Sequence, residues 1–134
     1  MPSIGELDSI NPRSATKLRK AGVRTTEALL RRASTRKARA ELADQTGIES
    51  SRILEWAHKA DLMRIKGIGG EYADLLHAAG VGTLKELRRR NPDSLLARLD
   101  EVNQAKGLVS RLPTRGMVAR WIEDAGQMEP AVRS

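Results

Sequence analysis

One stretch of this chain occurs twice, and that repetition limits the fold more than any other feature. Residues 7–25 (LDSINPRSATKLRKAGVRT) lie over residues 65–83 (IKGIGGEYADLLHAAGVGT) at an offset of 58. Ile10/Ile68, Ala15/Ala73, Leu18/Leu76, Ala21/Ala79, Gly22/Gly80, Val23/Val81 and Thr25/Thr83 match, and Leu29 aligns with Leu87 further on. A repeated supersecondary unit of this size buries too little surface alone and must share a core with its copy. Each copy runs on to a helix with one tryptophan, Trp56 and Trp121. The second tryptophan falls late, so the second copy holds an insertion. The expected division is residues 1–60 for the first unit, 61–126 for the second and a flexible tail over 127–134, with both units on one core.

Each piece reads as helix from local chemistry. Asn11-Pro12 and Asn91-Pro92 pair a capping side chain with a proline at the first helical position. Thr83 to Glu86 has the capping-box spacing. Gly22, Gly80, Gly47 and Gly107 stand where helices stop. Met117, Val118, Trp121, Ile122 and Ala125 form one apolar stripe. No segment alternates with period two, so the expectation is an all-α fold of about eight to ten short helices. The 134 residues contain no Phe and only one Tyr, so the core must be aliphatic around two tryptophans.

The most informative segment is Ile65-Lys66-Gly67-Ile68-Gly69-Gly70. Two apolar residues interleaved with glycines predict a tight turn between helices, with Ile65 and Ile68 inward and Gly67 and Gly69 in backbone conformations closed to other residues. Ala73 is small and lets the helices approach. Such a turn leaves amides unpaired at the next helix start, where the dipole favours a phosphate oxygen. The amides of Gly67, Ile68 and Gly69 are the expected donors.

These residues resemble the helix-hairpin-helix superfamily, whose members hold the DNA backbone through hairpin amides without reading sequence. The resemblance implies two tandem helix-hairpin-helix repeats packed as one helical unit, related by a pseudo-twofold axis. Through ADLMRIKGIGGEYADLLHAAGV and the later RLPT…W element, the whole chain is similar to the bacterial family called domain of unknown function 4332, which implies no activity. The first hairpin is degenerate. Ser9 and Asn11 stand where glycines would, and Pro12 lacks an amide donor. Glu71 follows Gly70 where superfamily members that grip DNA carry a basic or hydroxyl residue, and its carboxylate repels phosphate. A helix-hairpin-helix glycosylase would need a lysine just after the hairpin, and none is there.

Charge points the same way. The formal net charge is +7, of which +5 falls in residues 1–60. A basic balance favours a polyanion. The candidate nucleic-acid contacts are Arg64, Lys66, Gly67, Ile68, Gly69 and Gly70 at the second hairpin. Ser9, Asn11, Arg13, Lys17, Lys20 and Arg24 are those around the first. Arg31-Arg32, Arg36-Lys37-Arg39 and Arg88–Arg90 read more simply as solvated helix ends.

Other chemistry finds no foothold. Without cysteine, disulfides and thiolate metal sites are excluded. His58 and His77 lack ligand spacing, and no phosphate loop, nucleophile elbow or carboxylate pair is present. No catalytic residue, metal or cofactor is expected. The N-terminal segment does not read as a signal peptide and no run is long enough for a membrane span, so a cytoplasmic protein is expected. The expected function is non-enzymatic, sequence-nonspecific binding of duplex DNA backbone. The alternative is a protein–protein adaptor on the same fold.

Overall fold

Side-chain caps start most of the helices. The computed structural model describes residues 2–133 and, among them, a 3-10 turn over Ile4–Glu6 and eight α-helices. These are α1 (Pro12–Lys20), α2 (Thr26–Arg32), α3 (Arg36–Thr46), α4 (Ser50–Leu62), α5 (Gly70–Ala78), α6 (Leu84–Leu87), α7 (Pro92–Lys106) and α8 (Arg115–Gly126). Asn11, Thr25, Thr35, Thr83, Asn91 and Thr114 each accept a hydrogen bond from an amide in the first turn they precede. Only α4 and α5 begin without a side-chain cap. An uncapped helix start keeps its amides free.

The two similar stretches are built alike. At the end of α1, the Val23 amide donates to Leu18 O at 2.8 Å and the Gly22 amide to Arg19 O at 3.0 Å. At the end of α5, Val81 donates to Leu76 O at 2.9 Å and Gly80 to His77 O at 3.0 Å. Gly22 and Gly80 have φ of 90° and 89°. The guanidinium of Arg32 donates to Ala21 O at 2.9 Å beside Gly22, and the guanidinium of Arg90 sits beside Gly80. These two arginines are again 58 apart, and a cation there suits the helix dipole.

α4 is the hub. It packs on α2 and α3 from its own half and on α5 and α6 from the other. The second half closes through α5 on α7, α6 on α8 and α7 on α8. One hydrophobic cluster runs from Ile4 to Val132, with Trp56 and Trp121 as its largest members. The buried Lys59 of α4 meets Asp74 of α5 at 2.9 Å, and Glu55 at 3.3 Å. Among the described residues, the only strand-like pairing is an isolated bridge between Ser3 and Thr25. α7 is longer than α3 and is followed by the loop 107–114, against three residues between α3 and α4.

The tail departs from expectation. Residues 127–133 lie across the molecule rather than free of it. The Ala131 amide donates to Asp61 Oδ2 at 3.0 Å, the Arg133 amide to Ser34 O at 2.8 Å, and Val132 is buried. The buried Asp61 carboxylate supplies the anchor. Ser134 lies outside the described residues.

Candidate nucleic-acid interface

The second hairpin leaves α4 through Met63 and closes on two turn hydrogen bonds. Ile65 donates to Leu62 O and Ile68 to Ile65 O, both at 3.1 Å. Ile65 and Ile68 are buried, whereas Lys66, Gly67 and Gly69 face solvent. Gly67 has φ of 95°, and a Cβ there would lie 3.2 Å from the Trp121 indole nitrogen. The left-handed backbone demands glycine, and an added methyl would also crowd the indole.

Gly69 and Gly70 exchange the roles expected of them. Gly69 has φ of −93° and ψ of −173°, extended backbone open to any residue, and no atom lies within 4 Å of an added Cβ. Gly70 is the constrained position. A Cβ there would fall 1.8 Å from the carbonyl oxygen of Glu6 and 2.7 Å from its carbonyl carbon. The start of α5 thus presses directly on the backbone at Glu6, where the chain enters the first hairpin.

The donors shift accordingly. The Ile68 amide is spent on Ile65 O, so Ile68 cannot offer it to a ligand. The amides of Gly67, Gly69, Gly70 and Glu71 donate to no acceptor among the described residues. Gly70 is buried beneath Glu6, which leaves Gly67, Gly69 and Glu71 on the accessible side. Tyr72 continues the helix, its ring 5.3 Å from Trp121 and its hydroxyl donating to Arg111 O at 2.9 Å. That bond brings the loop 107–114, and the exposed Arg111, alongside the helix start. Sequence reasoning missed Arg111. No local pattern in the sequence shows where residues 107–114 dock.

The flanking residues divide into free and committed. Arg64 is committed, with Nη1 donating to Asp61 Oδ1 at 2.7 Å and to Glu129 O at 2.9 Å. It anchors the tail and is not a spare cation. Asn11 is committed too, because its Oδ1 accepts the Ser14 amide at 2.8 Å. The Ser9 hydroxyl is buried and unpartnered among the described residues, out of reach of a backbone phosphate outside. Arg13, Lys17, Lys20 and Arg24 are exposed and form no ion pair among the described residues. Arg13, Lys17 and Lys20 follow helical spacing along one face of α1. Lys66 is likewise free.

His58 and His77 share one groove with Glu55 and Glu86, and His77 also borders a second with Asp8 and Ser9 of the first turn. Burial holds the His58 imidazole below its usual range, against the pull of Asp61, and His77 lies 3.4 Å from Glu55. Among the described residues, no group of three His, Cys, Asp or Glu is placed to hold a metal ion, and no helix is long and apolar enough to cross a membrane.

Over residues 8–128 the chain matches the family described as domain of unknown function (DUF4332), and it belongs to that family. Comparison with curated proteins and with solved structures finds no match.

Proposed function

We propose that this protein is a cytoplasmic, non-enzymatic binder of nucleic-acid backbone, built from two tandem helix-hairpin-helix units of which the second makes the contact. The observation that carries this reading is the open start of α5. Its amides at Gly67, Gly69 and Glu71 lack acceptors, and it has no capping side chain. A phosphate oxygen is the partner such a site takes, because the amides and the helix dipole act together. Lys66 and Arg111 supply mobile positive charge beside it, and the Arg13–Lys17–Lys20 face extends the positive surface on the first unit. The matching hydrogen bonds of the two helix ends, 58 residues apart, support the tandem reading. Contacts of this kind hold the backbone and read no bases, so binding is expected to be sequence-nonspecific.

The test is fluorescence anisotropy of labelled duplex DNA across several salt concentrations, with Lys66→Glu alongside. Lys66 is exposed and unpaired, so the variant should fold. Binding that weakens with salt, and weakens about tenfold or more in the variant, supports the reading. No binding at low salt defeats it and turns the search to protein partners of the same fold.

A further inference from the structure

Two buried side-chain atoms among the described residues lack a hydrogen-bond partner, Ser9 Oγ and Asp74 Oδ1, and both residues line the same cavity. The cavity holds about 360 Å³ and lies where the first hairpin, α4, α5 and the end of α7 meet. Lys59 also lines it and is 4% exposed. Its Nζ donates to Glu55 Oε2 at 3.3 Å and lies 2.9 Å from Asp74 Oδ1 without a hydrogen bond to it. A buried polar atom with no partner costs stability. A carboxylate oxygen and a hydroxyl, both unmet on one cavity, call for a third group between them.

The charges decide which group. The buried ammonium of Lys59 stands against two carboxylates, Glu55 and Asp74, which leaves one negative charge in excess. His77 borders the cavity too, 3.4 Å from Glu55. Asp8 and Lys106 are exposed at its edge, carry opposite charges and form no ion pair among the described residues. An anion entering here would meet the carboxylates of Asp8 and Asp74. A cation with N–H groups instead finds acceptors at Asp74 Oδ1 and Ser9 Oγ. Ala78 and Leu108 supply an apolar side. Leu108 is the one exposed large hydrophobic side chain among the described residues.

We propose that this cavity binds a primary alkylammonium group. Its N–H groups donate to Asp74 Oδ1 and Ser9 Oγ, its charge offsets the excess carboxylate, and its aliphatic stem covers Ala78 and Leu108. The volume falls at the lower end of the range for small-molecule sites, which begins at about 300 Å³. The open start of α5 takes no part, so the inference is independent of the nucleic-acid reading. The ammonium comes either from a free aliphatic amine or from a lysine side chain of another protein.

The experiment is an amide NMR titration of the full chain with butylammonium chloride, against tetramethylammonium chloride at matched ionic strength. Saturable shifts at Ser9, Asp74 and Leu108 are expected with the first. The second carries the charge without an N–H group and should leave them unmoved. Ser9→Ala should weaken binding about fivefold, as loss of one hydrogen bond does. Its denaturant midpoint should hold or rise, because the hydroxyl removed has no partner. Asp74→Asn should abolish binding. It also takes a counter-charge from Lys59, so Ser9→Ala carries the test if that variant unfolds. Nα-acetyl-lysine N-methylamide separates the sources. Tighter binding than butylammonium assigns the site to a lysine side chain, and equal or weaker binding assigns it to a free amine. Scattered or unsaturable shifts, equal shifts from tetramethylammonium, or full affinity in Ser9→Ala overturn the proposal.

Discussion

The two hairpins lie against each other and solve the same problem in opposite ways. The first closes its own helix start. Asn11 caps Ser14 and Pro12 removes a donor that would otherwise need a partner. The second leaves its start open, with glycine at the capping position and no side chain over the amides. One hairpin converts its polar groups into local stability, and the other leaves its amides without an acceptor among the described residues. The contrast separates two uses of glycine. Gly70 is glycine so that the two hairpins can touch, whereas nothing in the packing requires glycine at Gly69.

That comparison can be broken most severely at Gly70. Gly70→Ala places a methyl inside the Glu6 carbonyl and must drive the hairpins apart. A loss of about 3 kcal/mol is expected, read as a lower denaturant midpoint. A near-neutral result would mean the junction yields easily. Gly67→Ala comes next. It imposes a left-handed backbone on alanine and crowds Trp121, for about 2 kcal/mol. Tryptophan fluorescence should report this variant but not the equally exposed Gly69→Ala. Smaller again is Asn11→Ala, which removes the cap of α1 and should cost about 1 kcal/mol by the same unfolding measurement. The smallest stability effect belongs to Gly69→Asn, which gives α5 the cap that α1 already has. The extended backbone and open space at Gly69 accommodate it. A gain of a few tenths of a kcal/mol is expected from thermal unfolding.

The helix ends were legible in the sequence because capping is local. Asn11-Pro12, Thr83, Asn91-Pro92 and the glycines after each helix carry their meaning within four residues. The like ends of α1 and α5 were legible too, through Gly22 and Gly80. What escaped depends on residues far apart in the chain. Arg64 looked like a free cation beside the hairpin until Glu129, 65 residues away, claimed it. The tail looked loose because nothing in its own sequence shows that Asp61 awaits the Ala131 amide. Arg39 looked like part of a solvated run, and only packing of α3 on α4 buries it. Gly70 looked like one more turn glycine, since close approach of two backbones leaves no trace in either local pattern.

The central claim is that the open start of α5, not the chain's positive charge at large, engages nucleic acid. Gly69→Asn tests it most directly, because it fills the helix start without changing the net charge. The measurement is anisotropy of labelled duplex DNA at low salt with the unmodified chain and this variant. A folded, slightly more stable variant is expected, with DNA affinity lowered about tenfold, in line with the loss of charge-assisted amide contacts. Undiminished affinity in a variant shown to be folded would contradict it and leave the hairpin as a connector.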